Sequence, residues 1–185
     1  MKTRLFILIL FNCIGLSLIA QLVNVKIPDN QLSKHFKKGY VLEQINTPKN
    51  LIMNSEGAFF HVNNPIDLSI NHFLYIGRVN TCRAGGCSTT NNLSAGNSEY
   101  FDYFIIYNQY FIIQSVSIYN YQASHGYELT SSFWLKQFKG YDGSKELIYG
   151  EDIDAVAGAT ISGNAAIADI EYKTKLLKQI SNKLN

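Results

Sequence analysis

Two aromatic-rich runs lie almost end to end in this chain: YFDYFIIY (100–107) and YFIIQSVSIYNY (110–121), with only Asn108-Gln109 between them. Aromatic and β-branched residues suit a pleated, half-buried surface. Two such runs joined by two residues read as an antiparallel hairpin. Gln is not a favoured second turn residue, so the turn type stays open. In the second run Ile113, Ser115, Ser117 and Tyr119 alternate with Gln114, Val116, Ile118 and Asn120. That alternation is imperfect, so one face is not simply wet. Two further runs read as strands, GAFFHV (57–62) and NHFLYIGRV (71–79), the second ending in a glycine-rich cysteine loop.

Helical signals come later. Thr130 or Ser131 can cap a short helix carrying Phe133, Trp134, Leu135 and Phe138, after a His125-Gly126 turn; Gly140 and Asp142-Gly143 end it. From Ala165 onward Ile167, Ile170, Leu177, Ile180 and Leu184 fall near helical spacing, which predicts a C-terminal helix over about 163–182 with Ser162 as N-cap. Glu171 and Lys175 stand four apart in the favourable order, and Lys173, Lys175, Lys178 and Lys183 gather where the helix dipole favours cations. The sum is an α+β fold, an antiparallel sheet with flanking helices. At 185 residues a single domain is expected, with roughly two-thirds of the unfolded surface buried.

The N-terminus stands apart. Met1-Lys2-Thr3-Arg4 precedes sixteen mostly apolar, uncharged residues ending at Ala20, the pattern of a secretory signal peptide over 1–20. Extended through Val23, the same stretch reaches nineteen residues from Leu5, so a retained membrane anchor is the rival reading. Cys13 follows Asn12, not the small residue a lipidation site needs. Either way, residues 21–69 form the N-terminal segment of an exported domain that continues over 70–185. The expected location is the periplasm or the outer face of the cytoplasmic membrane. Without Lys2 and Arg4 the sixteen basic residues become fourteen, equal to the fourteen acids. A neutral mature chain argues against general nucleic-acid affinity.

Cys82 and Cys87 sit in TCRAGGCSTT with two glycines between them. In an oxidising compartment they read as a short structural disulfide, with a redox-active dithiol as the alternative. Haem attachment has the wrong spacing and lacks a His after Cys87, and two Cys do not make a zinc site.

The chemistry-bearing stretch is EDIDAVAGATISGNAAIADI (151–170). Glu151, Asp152 and Asp154 give way to small residues and then to the helix. A helix entrance offers unpaired N–H groups to a phosphate, and Gly158 and Ala159 allow close approach to the backbone. The Thr160 hydroxyl could bond to such a phosphate or be esterified by it. The same residues also read as a turn and cap, with Thr160 or Ser162 capping the helix.

The run Asp154-Ala155-Val156-Ala157-Gly158-Ala159-Thr160 resembles the flavinylation motif of FMN-binding domains. Those domains occur in the C subunit of the sodium-translocating NADH:quinone oxidoreductase and the G subunit of the Rnf complex. The family pattern is Asp, two variable residues, Ser or Thr, Gly, Ala, Thr. In the family the last Thr carries FMN through a phosphoester made by a separate flavin transferase. The resemblance makes Thr160 the acceptor and Asp154, Gly158 and Ala159 its frame, with Ser162 beside it. Ala157 departs from the pattern, since the family has a hydroxyl there. VSIYNYQASHGYELTSSFWLKQFKG adds His125, Glu128 and Gln137-Phe138-Lys139-Gly140 in the family's order, and Tyr75-Ile76-Gly77 resembles a short motif near the domain start. The similarity covers roughly residues 70–180. It implies an exported FMN-binding electron-transfer protein, served by a flavin transferase and by a membrane-associated donor and acceptor. The alternative is a secreted binding or structural module that keeps the fold without flavin.

Overall fold

The computed structural model describes residues 25–26, 28–36, 38–47, 56–65, 67, 71–83 and 98–184, with backbone only at Cys82, Arg83, Ser98, Lys183 and Leu184. Residues 1–20 and Cys87 lie outside the described residues, and so does the Cys82 side chain; the signal-peptide and disulfide expectations fall there. Among the described residues no helix is long and apolar enough to cross a membrane.

The fold is α+β. Five strands form one antiparallel meander in sequence order: β1 (Val41–Ile45), β2 (Gly57–Asn63), β3 (Asn71–Arg83), β4 (Ser98–Tyr107) and β5 (Ile113–Tyr121). A short helix α1 (Asp29–Leu32) precedes the sheet. A 3-10 turn (Tyr127–Thr130), α2 (Ser132–Leu135), a second 3-10 turn (Lys136–Phe138) and the long α3 (Thr160–Leu184) follow it.

The imperfect alternation of the aromatic runs has a plain cause: the sheet is covered on both faces. Residues 101–107 are all buried, as expected of a strand sandwiched between two layers. On one face Phe59, Tyr75, Phe101, Tyr103, Ile105 and Tyr107 pack under α3 and α2, against Trp134, Phe138, Ile167, Ile170 and Leu177. On the other, Phe60, Val62, Leu74, Ile76, Phe104 and Ile106 are roofed by Val25, Leu32 and Phe36. The N-terminal segment is thus part of the same fold, as roof and as strands β1 and β2.

Tyr75 shows how tightly the first face is built. Gly57 and Gly77 are cross-strand partners, and a Cβ on either would stand within 2.2 Å of the Tyr75 hydroxyl. The ring therefore lies flat across a two-glycine gap.

The hairpin is real but its loop is longer than two residues. β5 begins at Ile113, and the Asn108 side chain accepts the N–H groups of Tyr110 (2.9 Å) and Ile112 (3.1 Å). Phe111 takes a positive φ of 62° and packs on Phe73, 5.0 Å between ring centres. An Asx-type side chain closing a longer loop satisfies the backbone that an Asn-Gln pair cannot turn alone.

Two expectations for α3 need correction. The helix starts at Thr160, so Ser162 lies inside the first turn and is buried, not at the cap. Lys173 does not belong with the lysines near the helix end but lies midway along α3. It is fully buried beneath the sheet, 3.4 Å from Asp169 and over the rings of Tyr75 and Tyr172 at 5.0 and 4.9 Å. Asp169 also accepts the Tyr103 hydroxyl. Burial pushes the Lys173 ammonium down and the Asp169 carboxyl up, their mutual attraction opposing both shifts. Glu171 accepts the Leu147 N–H and the Tyr141 hydroxyl.

Candidate functional site: the α3 entrance

Residues 150–159 are the last part of the connection from the second 3-10 turn to α3, and three side chains hold their backbone. Trp134 Nε1–H donates to the Asp154 carbonyl (2.8 Å), and Gln137 Oε1 accepts the Asp154 N–H (3.0 Å). The Tyr149 hydroxyl accepts the Val156 N–H (2.7 Å) and donates to the Val156 carbonyl (3.2 Å). Tyr149 reaches Val156 because α3 has Gly163 beneath its ring, where a Cβ would fall 2.4 Å from the ring edge. The Asp152 carboxylate accepts from Lys145 (2.6 Å) and from the Ile148 N–H (2.9 Å), which closes the loop's first turn. These hydrogen bonds keep Asp152 below the usual carboxylate range.

The entrance itself differs from a capped helix. The Ala159 carbonyl accepts the Gly163 N–H at 2.7 Å, and the residue accepting the first intrahelical bond is the N-cap. That residue has no side-chain oxygen, and Ala is among the poorest N-caps. The reading of Thr160 or Ser162 as the cap is therefore wrong. Thr160 is the first helical residue, exposed, and Ile161 beside it is 51 % exposed. Gly158 is exposed at φ +74°, a conformation that suits Gly, and a Cβ there would meet nothing within 4 Å. The N–H groups of this first turn have no intrahelical acceptors by helix geometry.

A second segment is locked against this entrance. Gly126 has φ +82°, and a Cβ on it would stand 2.5 Å from the Ala159 Cβ and 3.0 Å from the Tyr121 hydroxyl. The Tyr121 hydroxyl donates to the His125 carbonyl at 2.6 Å. Burial raises the Tyr121 phenol, opposed by a hydrogen bond from Ser162. Tyr121 thus ties the end of β5, the His125-Gly126 turn and the first turn of α3 together. Its ring stacks on Phe101 and meets Tyr127 edge-on, at 5.9 Å in each case. Tyr127 is 71 % exposed.

The structure therefore brings Gly158, Ala159, Thr160 and Ser162 beside His125 and the turn that carries Tyr127 and Glu128. Ala159 and Ser162 are buried; Thr160, Gly158, His125 and Glu128 are exposed. Asp154 is exposed too, and its backbone is held by Trp134 and Gln137. Sequence reasoning passed over Tyr149 and Tyr121. Gly163 was the available signal: a glycine inside a helix marks a close approach by another group.

In chemical terms this is an open, rigidly backed helix entrance. It presents one hydroxyl, free backbone donors and small residues, with Tyr127 and Ile161 offering apolar surface nearby. No family model, no curated protein and no solved structure matches this chain.

Proposed function

We propose that this is an exported, FMN-carrying electron-transfer protein, with Thr160 as the attachment point of the flavin phosphate. The observation that carries the reading is the uncapped entrance: an Ala N-cap followed by an exposed Thr160 at the first position of a 25-residue helix. Such an end favours an anion, because its N–H groups and its partial positive charge both face outward. The residues fit the group. The open side of Gly158 admits a phosphate to the backbone, and Thr160 supplies an accessible oxygen.

In this reading Thr160 holds the phosphate, the first-turn N–H groups stabilise its remaining negative charge, and Tyr127 and Ile161 line the approach for an apolar ring. The Trp134, Gln137 and Tyr149 anchors fix the loop, so little conformational entropy is lost on binding. When bound, FMN supplies the redox chemistry; the protein supplies position and electrostatics. A separate flavin transferase loads the flavin, and donor and acceptor are membrane-associated partners. Export by the N-terminal leader explains why attachment is useful, since a loosely held flavin is lost outside the cell.

Ala157, exposed where the family pattern has a hydroxyl, favours the second reading, a secreted binding or structural module without flavin. One experiment separates them. The protein is co-expressed with a flavin transferase, denatured, and weighed by intact mass spectrometry. A gain of one FMN less water, lost in Thr160→Ala, is the expected result. Flavin that co-purifies but leaves on denaturation overturns the covalent bond alone. No flavin in any form overturns the carrier.

A further inference from the structure

The free edge of β5 carries an unused backbone slot. β5 is an outer strand of the sheet. Near its start, Ile113 already bonds along that edge: its C=O accepts the Gly140 N–H and its N–H donates to the Tyr141 C=O, both at 2.9 Å. The register extends this. Tyr107 pairs with Ile113, and a bulge shifts the next pairs to Ile106 with Ser115, Ile105 with Val116, Phe104 with Ser117 and Tyr103 with Ile118. Antiparallel pairs alternate between bonded and non-bonded. Counting from Ile113, the N–H and C=O groups of Val116 and Ile118 point outward. Counting back from the other end gives the same answer, because the Gln122 N–H bonds to the Tyr100 carbonyl. Among the described residues nothing pairs with those four groups.

The slot has walls. A groove of about 380 Å³ runs along residues 114–118, with Gln31 and His35 on one side and Leu135, Lys136 and Lys139 on the other. Its polar lining includes two Lys and one His and, among the described residues, no carboxylate. An edge flanked by Lys discourages a second copy, since two such edges would bring like charges together. An extended segment bearing carboxylates meets both requirements, with main-chain bonds for affinity and charge for selection.

We propose that the β5 edge is a docking site for an extended acidic segment of a partner protein, which adds to the sheet as a sixth strand beyond Val116 and Ile118. The site is separate from the α3 entrance and does not depend on the flavin reading.

The test uses 15N-labelled protein and two capped heptapeptides, one alternating Glu with Val and one alternating Lys with Val. The Glu peptide is expected to shift resonances over 113–118 and to slow hydrogen exchange at the Val116 and Ile118 amides. Binding should weaken about tenfold in the exposed double variant Lys136→Glu/Lys139→Glu, and several-fold on raising salt. Four results overturn the proposal. The first is equal binding of the Lys peptide, and the second is no shift at millimolar Glu peptide. The third is protection of both amides in the free monomer, which would mean that the chain covers its own edge. The fourth is protection that appears only as the free protein self-associates.

Discussion

Gly126→Ala tests the lock between the His125 turn and the α3 entrance. Two costs are expected. Gly126 sits at φ +82°, and an L-residue in the left-handed region costs about 1–2 kcal/mol. The new methyl also stands 2.5 Å from the Ala159 Cβ and 3.2 Å from its Cα, so backbone must move; overpacking of this kind costs about 1–3 kcal/mol. The variant should therefore lose about 2–5 kcal/mol. Ala159→Gly separates the costs. It removes the facing methyl, and Gly is a better N-cap than Ala, so alone it should be nearly neutral. In that background Gly126→Ala should cost at least about 1 kcal/mol less, which is the coupling a double-mutant cycle measures. Urea unfolding midpoints at unchanged m-value read all four proteins. A loss under about 1 kcal/mol, or an equal loss in both backgrounds, would refute the close approach.

Asp169→Ala should be more damaging than Lys173→Met. The first leaves a fully buried ammonium with only ring faces, at a cost of about 3–5 kcal/mol. The second leaves Asp169 hydrogen-bonded to Tyr103 and 21 % exposed, at about 1–2 kcal/mol; equal losses in urea unfolding would sink this. The pH dependence of Asp169→Ala has a fixed sign. Lys173 has a folded pKa below its ordinary 10.5, so between the two values the unfolded chain holds a proton the folded one lacks, and stability rises with pH in that window. Tyr149→Phe removes both bonds to Val156, with an expected loss of about 1–3 kcal/mol and faster exchange of the Val156 amide; unchanged exchange counts against the anchor. Ala157→Thr restores the hydroxyl of the flavinylation pattern, and the covalently flavinylated fraction should rise by intact mass.

Four of the five strands and the long helix were legible because their signals are local and long; β1 (Val41–Ile45), with Glu43 and Gln44 in its five residues, gave no such signal. The strand runs held aromatic and β-branched residues, and Ile167, Ile170, Leu177 and Ile180 kept helical spacing over four turns; all four are buried. The two-residue turn failed because Asn108 closes a longer loop with its side chain, which no dipeptide rule captures. Lys173 misled because sequence proximity groups it with the C-terminal lysines, while its place is set by Asp169 on the same helix and by Tyr75 and Tyr103 on distant strands. Near the candidate site the Ser131 cap was legible; it receives the Trp134 N–H at 3.3 Å. The assembly of the α3 entrance was not. The contact of Gly126 with Ala159 joins residues 33 positions apart, and the anchors from Trp134, Gln137 and Tyr149 act on backbone, which leaves no mark in side-chain chemistry.

Tyr75 lying across Gly57 and Gly77 has a consequence for the β2–β3 pair. The three residues act as a peg and a two-part notch. Sliding β2 by a single position would set a side chain where the ring now rests, and would also turn its Phe60 and Val62 toward α3. The alignment of these strands is thus fixed from within the sheet.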